Sequence, residues 1–506
     1  MASLPQWLEK PSFLGFIFFS LSSILLFLSL TRSKREKGTT PKAKLPPGPP
    51  KLPLIGNLHQ LSKLAHRSLR DLALKYGPLM FLQLGQVPTL VVSSPAMAKA
   101  VMKTHDLSFA SRPQVNSAKH ILYNSTDIAF SPYGSYWRNM RKICILELLS
   151  VKRVESFRFV RMEEVARMVE TIERSKGAVN LSQLFLSLTN NIIGRVAFGK
   201  SYDKFYEVLN EVQILLGGFS LGDQFPSLDW IDVLTGIRAR QKKTFRTLDA
   251  FMEMVIEDHL DPYTRPSNDE HKDFVDVLLE VQKRADLDFP FTRDNLKAVI
   301  LDMFGAGTET TATVLEWTMT ELMKNPNVMK KAQDEVRKIA NGRQTIGEND
   351  LPELEYLKLV MKESMRLHAP VPLLLPRESL EKCSINGYEI PKGTKVIINA
   401  WAISRHAETW ASPEEFRPER FIESSIDYKG QDFEFIPFGA GRRGCPGIAF
   451  GVASLELALA NLLLHFDWEL PHGMSPNDMD MAEIFGLTMH RKVPLSLIAI
   501  PHRQFL

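Results

Sequence analysis

The stretch Pro437-Phe438-Gly439-Ala440-Gly441-Arg442-Arg443-Gly444-Cys445-Pro446-Gly447 sets one cysteine in a glycine-crowded loop, directly before a long apolar run. That run, Ile448 to Phe466, has the apolar spacing of a buried helix, so the cysteine falls at a helix N-terminus. There the helix dipole and the free backbone N–H groups favour a thiolate, the form of cysteine that binds metal. Gly441, Gly444 and Gly447 let the backbone come close to a flat group and take positive φ where a turn demands it. Arg443 adds a cation beside the sulfur. A chain with this loop has to bury a helix behind it and open a cavity in front of it.

Spelled Phe438-x-x-Gly441-x-Arg443-x-Cys445-x-Gly447, the loop resembles the haem-binding loop of the cytochrome P450 monooxygenases, whose iron carries a cysteine thiolate. A lone cysteine in a turn is ordinarily a small core residue. Five fixed positions in one decapeptide outweigh that reading. The resemblance implies haem b (iron protoporphyrin IX), with Cys445 as axial ligand of the iron and Phe438 and Arg443 as haem contacts. It also implies the fold: mainly α with smaller β-sheets, the haem lying between a long central helix and the cysteine-bearing loop.

The 506 residues show no internal repeat and no long polar linker beyond the first fifty positions, which predicts one catalytic domain over 51–506. A net charge of +4 gives no basis for a nucleic-acid partner. Cys144, Cys383 and Cys445 offer neither a disulfide framework nor a zinc pair and suit a reducing compartment. Asn124-Ser125-Thr126 and Asn180-Leu181-Ser182 fit the glycosylation pattern, but on the cytosolic side they are expected to stay unmodified.

Phe13 to Leu30 is an uncharged apolar run about long enough to span a bilayer. The basic cluster Arg32, Lys34, Arg35 and Lys37 follows the run, the opposite order to a cleavable leader. The order predicts a retained single-pass anchor at 13–30, a short luminal segment at 1–12, and a basic stop-transfer and proline-rich hinge at 31–50. The catalytic domain then stands on the cytosolic face of the endoplasmic reticulum. Leu45-Pro46-Pro47-Gly48-Pro49-Pro50 stiffens the junction.

Leu79 to Leu84 and Thr89 to Val92 read as short strands separated by Gly85 and Pro88. Val151 to Glu280 reads as several amphipathic helices without chemistry; Phe219, Phe225 and Trp230 are core or entrance aromatics. On a helix through Tyr136-Trp137-Arg138-Asn139-Met140-Arg141-Lys142, Trp137 and Arg141 share a face, so an indole N–H and a guanidinium can converge on one carboxylate. The resemblance makes that carboxylate a haem propionate and adds Arg112, from Phe109-Ala110-Ser111-Arg112-Pro113, as a further contact.

Thr292 to Lys324 reads as a helix of body-crossing length, capped by Thr292 and stopped at Asn325-Pro326. Its middle, Gly305-Ala306-Gly307-Thr308-Glu309-Thr310-Thr311, is poor helix sequence, since each glycine costs about 1 kcal/mol relative to alanine. A small-residue groove with a hydroxyl and a carboxylate suits a helix that dioxygen must approach. Ala306-Gly307-Thr308-Glu309-Thr310 looks like the oxygen-activation motif of the family, which implies Thr310 as the catalytic alcohol and Glu309 as the acid relaying protons.

Pro352 to His368 reads as another helix, with Glu363 and Arg366 three apart on one face. With Arg420 from Pro418-Glu419-Arg420-Phe421 they resemble the Glu-Arg-Arg structural triad of the family, assigned to folding and not to catalysis. The proline-rich Ala369 to Arg377 segment is extended, walls the pocket with Val371 and Leu374, and sends Arg377 to a propionate as the matching residue does in relatives. Glu483 to Thr488 reads as a hairpin tip that brings Phe485 and Leu487 over the substrate. Leu301, Phe304 and Ala306 complete the candidate apolar pocket.

Anchor, hinge, tryptophan helix, oxygen motif, triad and haem loop occur in the family's order, and the wording of the motifs is similar to plant microsomal enzymes of specialised metabolism. The implied reaction is NADPH-dependent monooxygenation of a small lipophilic metabolite, a terpenoid first, then a phenylpropanoid or alkaloid. Electrons come through a separate flavoprotein reductase, because the chain holds no flavin or nucleotide fingerprint, with cytochrome b5 as a further partner. Arg138, Lys142 and Arg442 are the candidate docking patch. Two rival functions, a reductase-independent haem-thiolate isomerase or dehydratase and a non-catalytic haem carrier or sensor, leave Glu309 and Thr310 without a task.

Overall fold

The computed structural model describes Ser23 and residues 44–202, 205–218, 220–261, 272–284, 287, 289–471, 473–484 and 486–502. The expected anchor apart from Ser23, the basic cluster after it, Phe219 and Phe485 lie outside the described residues.

Among the described residues, nine short strands form three sheets. A four-stranded sheet has the order β1 (Leu79–Leu84), β2 (Val87–Val92), β7 (Lys395–Ile398), β4 (Arg377–Glu378). β3 (Ala178–Asn180), β9 (Ser496–Pro501) and β8 (Phe466–Glu469) form the second sheet, and β5 (Cys383–Ile385) pairs with β6 (Tyr388–Ile390). β1 and β2 are the expected strands, but Pro88 lies inside β2, opposite Gln83. Proline is tolerated there because pairing with β7 starts one residue later, at Thr89, so the missing N–H breaks no bond of that ladder.

The proline segment is docked, with Phe81 N donating to the Pro47 carbonyl at 2.9 Å. Gly48 has no room for a side chain, since an added Cβ would stand 2.2 Å from the Phe81 carbonyl oxygen.

Seven helices position the site: α1 (Ala65–Tyr76), α2 (Ser135–Ile143), α3 (Leu181–Phe198), α4 (Arg293–Lys324), α5 (Pro326–Ala340), α6 (Glu355–Leu367) and α7 (Ile448–His465). α4 is the expected central helix. Its Thr292 cap accepts from Asn295 N while the Asn295 side chain accepts from Thr292 N, and the helix ends at Asn325 before Pro326. Its glycines do not interrupt it; α4 packs most extensively on α3 and also against α6 and α7. α6 starts later than the sequence suggests, after a short 3-10 turn at Leu351–Glu353. α7 is apolar and long enough to cross a membrane by composition, yet most of it is buried against α4, α5 and α6.

Candidate active site

The loop before α7 closes on itself: Cys445 N donates to the Phe438 carbonyl at 2.9 Å, and Gly444 N to that of Gly441 at 3.0 Å. Gly441 has a φ of 66°, and an added Cβ would stand 2.2 Å from the Met102 carbonyl oxygen, so only glycine fits. Gly444 and Gly447 keep negative φ, at −58° and −92°, so their smallness and not their handedness is what the loop uses.

Cys445 is exposed, and part of that exposure opens onto a cavity of about 290 Å³ between the loop, α4 and the segment Pro370–Arg377. That open part faces the cavity and not the outside of the protein, so the sulfur's depth in the body still pushes the thiol up, while a bond from the Gly447 backbone and the charge of Arg141 pull it down. Facing the loop is one stripe of α4: Asp302, Met303, Ala306, Gly307, Thr310, Thr311 and Val314. The stripe repeats at i, i+4 and i+8, the spacing of one helical face. Val371 and Leu374 supply apolar wall, and Phe438 lines the same space.

The residues on the other faces of α4 turn elsewhere. Leu301 and Phe304 are packed in the core, with Phe304 stacked on Phe198 at 5.3 Å between ring centroids. Glu309 is buried toward the C-terminal hairpin, accepting from the Thr488 hydroxyl at 2.9 Å with His490 Nε2 at 3.7 Å. The hairpin is present, held by Ile484 N to the His490 carbonyl and Lys492 N to that of Ala482. Leu487 packs beside Gly217 and not on the cavity.

One end of the cavity is cationic. Arg112, Arg141, Arg377 and Arg443 all line it. Burial holds the Arg112 guanidinium well below its ordinary value, and Arg443, Arg377 and Arg141 lower it further. Arg443 is pushed down to about 9 by burial and then by Arg377 and Arg141. The cations are held mainly by backbone carbonyls: Arg112 by Ala129, Leu375 and Pro376, Arg141 by Gly444, Arg443 by Ala110, Ile128 and Ser131. Among the described residues, Arg377 alone of these four has an ion pair, with Asp106 at 3.0 Å, and Asp106 also takes Arg442. Trp137 stands behind the wall, its indole N–H on the Ile128 carbonyl at 2.9 Å and its ring under Arg443 at 3.9 Å.

Glu363, Arg366 and Arg420 meet away from the cavity. Arg366 donates twice to Glu363, at 2.7 and 2.9 Å, and Arg420 Nε once at 2.8 Å. The remaining guanidinium N–H groups fasten the carbonyls of Ser404, Pro413, Glu415, Ala411 and Ser412.

Sequence reasoning missed Met102, Ile128, Ala129, Asp302 and Gly451 on the cavity wall. Counting back one turn from Ala306 finds Asp302; no local signal marks Ile128 or Ala129.

These features suit a flat group with an acidic edge and a metal that takes sulfur. The cations repel one another and lack enough carboxylates, the walls are apolar, and a sulfur faces the open space. On α7, a Cβ added at Gly447 would meet nothing nearer than Cys445 Sγ at 3.9 Å, and at Gly451 nothing nearer than Thr311 Oγ1 at 3.9 Å. A flat group can therefore lie against both glycines. Fold and site together define a mainly α protein that holds such a group between a long helix and a cysteine loop.

Comparison with known proteins agrees. The family model for cytochrome P450 matches residues 46–496. Cytochrome P450 71AP13 of Prunus mume is 54% identical over 94% of this chain and 94% of its own. Premnaspirodiene oxygenase of Hyoscyamus muticus is 49% identical over 96% and 99%. A zebrafish cytochrome P450 structure with progesterone superposes with a TM-score of 0.75 at 26% identity, covering 86% of this chain and 99% of that one. The chain belongs to the cytochrome P450 family. It is a haem-dependent monooxygenase that draws electrons from NADPH through a reductase and acts on a small lipophilic substrate.

Proposed function

We propose that Cys445 would hold the haem iron through its thiolate and that the cavity oxidises a lipophilic plant specialised metabolite, a terpenoid first, then a phenylpropanoid or alkaloid. The observation that carries this reading is the face-to-face placement of Cys445 and the Ala306–Thr310 stripe across one apolar cavity. Haem, when bound, supplies the reductive activation of dioxygen from which one oxygen atom enters the substrate.

The chain's own residues prepare that chemistry. Burial raises the Cys445 thiol, the Gly447 backbone and Arg141 work against that rise, and iron binding would supply the rest of the stabilisation of the thiolate. Arg112, Arg141, Arg377 and Arg443 neutralise the acidic edge of the haem, with Trp137 holding Arg443 in place. Phe438 packs beside the flat group. Ala306 and Gly307 keep the helix surface low, Thr310 presents a hydroxyl there, and Glu309 brings protons from the Thr488 and His490 side. Val371 and Leu374 contact the substrate.

Relatives bear names for oxidising different skeletons, a strychnine hydroxylase and a premnaspirodiene oxygenase among them, which supports a bulky apolar substrate. The uncharged run 13–30 anchors the chain in the endoplasmic reticulum membrane, with the catalytic domain cytosolic and cytochrome b5 as a second electron donor.

The test is turnover under isotopically labelled dioxygen with NADPH, reductase and a panel of lipophilic plant metabolites beginning with terpenoids. One labelled oxygen atom per product molecule is expected; oxidation without label from dioxygen would contradict the reading.

A further inference from the structure

Asp302 is the single carboxylate on the cavity face of α4, one turn before Ala306 and two before Thr310. Its Oδ2 accepts from Ile128 N at 2.6 Å and Ala129 N at 3.1 Å, both in the loop that walls the cavity beside α4. The carbonyls of those two residues face the other way. Ile128 O accepts from Trp137 and Arg443, and Ala129 O from Arg112 at 2.8 Å. One dipeptide thus links the central helix to the cationic end of the site.

A second carboxyl, Asp127, sits at the start of the loop and is fully buried. Its Oδ2 accepts from Phe130 N at 2.7 Å, but its Oδ1 has no N–H or O–H donor among the described residues. The Asp302 carboxyl, held on the N–H of the very next residue, Ile128, lies within hydrogen-bonding reach of the Asp127 carboxyl. Two carboxyl groups in that relation hold together only when a proton lies between them.

We propose that Asp127 and Asp302 share one proton, and that this shared proton latches the 127–130 loop to the central helix so that Ile128 and Ala129 form a fixed wall of the substrate cavity. Asp302 is then a positioning residue. The proposal rests on the reading of this cavity as the substrate site.

The electrostatics agree. Burial and then the neighbouring Asp127 push the Asp302 carboxyl well above the usual carboxylate range, and burial raises Asp127 too. Arg443 and Arg112 face Asp127 and favour its ionised form, so the proton resides mainly on Asp302. Tyr136 and Cys144 also face the pair and are themselves raised, so neither supplies a competing charge at neutral pH. Because both carboxyls are raised on folding, the folded chain binds the extra proton above the unfolded values, and stability falls as pH rises through the pair's range.

The test compares holoenzymes carrying Asp302→Asn, Asp127→Asn, both together, and Asp302→Ala, by melting temperature and by the affinity of phenylimidazole for the cavity. Either single asparagine can accept the loop N–H with its oxygen and donate its amide to the remaining carboxylate, replacing the proton. Each single variant is expected within about twofold of the wild-type affinity, and Asp302→Asn with a melting temperature that no longer falls with rising pH. The double variant sets two amide donors against each other and, like Asp302→Ala, is expected to bind at least about tenfold more weakly. Failure of the double variant alone to give folded holoenzyme is the same result in extreme form. A double variant equal to the singles, or Asp302→Asn as damaging as Asp302→Ala, overturns the proposal. Infrared spectroscopy gives a reading without turnover: the wild type at neutral pH should show a buried protonated carboxyl band that either single variant loses, and its absence in the wild type also overturns the latch. The reduced carbon monoxide spectrum of the wild type reports separately on Cys445.

Discussion

The Thr310 hydroxyl donates to the Ala306 carbonyl at 2.5 Å, one turn back on the central helix, so two of the three residues of the oxygen motif that line the cavity are joined to each other. The bond directs the hydroxyl proton along the helix, while the hydroxyl oxygen stays on the cavity face. Thr310→Ala removes the hydroxyl of the Ala306–Thr310 motif that lines the cavity. Product formed per NADPH consumed is expected to fall by about tenfold or more with haem content unchanged, and Thr310→Ser should recover most of it. Unchanged yield in Thr310→Ala would remove Thr310 from the mechanism.

Glu363 and Arg366 are each fully buried and joined by two hydrogen bonds, with Arg420 on the same carboxylate. Removing one partner strands a buried charge, which costs about 3–5 kcal/mol. Glu363→Ala is expected to lower the yield of folded, haem-loaded protein severely, and denaturant titration of what remains should show a lower midpoint. Full stability with reduced turnover would make the residue catalytic and contradict its structural role.

Glu483 ties the C-terminal hairpin to α1 through His66 and Arg67, at 3.1 and 2.9 Å. Burial alone would raise its carboxyl, but His66 and Arg67 more than offset that and hold it at about 2. A depressed folded value means stability present above the unfolded value near 4.5 and lost as pH falls toward 2. The wild type should therefore exceed Glu483→Gln in melting temperature at neutral pH, and the difference should shrink steadily below about pH 5. A difference that is constant with pH would show that the pair contributes packing alone.

Arg138 and Lys142 lie four residues apart on the exposed face of α2, about 100° round the helix from Trp137 and Arg141. If they form, with Arg442, the docking patch for an acidic reductase surface, charge there should act on encounter rate more than on affinity. Arg138→Glu with Lys142→Glu is expected to slow haem reduction by about tenfold at low salt, with the gap closing as salt is added. Reduction at the wild-type rate would place the docking surface elsewhere.

Sequence carried the fold furthest where chemistry and periodicity coincide. The cysteine loop, the capped 32-residue helix and the Glu-Arg-Arg set each combine residue type with spacing, and each is found where that spacing puts it. Leu301 and Phe304 show the limit. Both are apolar and close to the oxygen motif, but on a helix of period 3.6 they fall off the Asp302, Ala306, Thr310 face and pack into the core. Trp137 shows another. Its spacing from Arg141 was legible, but the carbonyl of Ile128 that takes its N–H comes from a loop with no local signature. Asp302 was within reach of helical arithmetic, whereas its partnership with Asp127 depends on how that loop folds back over α4.

The most direct test of the account is the reduced carbon monoxide difference spectrum of the membrane-expressed chain beside a Cys445→Ser variant. The account predicts a thiolate-type Soret band in the wild type that is lost in the variant. Folded, haem-loaded wild-type protein without that band, or a variant that keeps it, would contradict the assignment of Cys445 as the iron ligand.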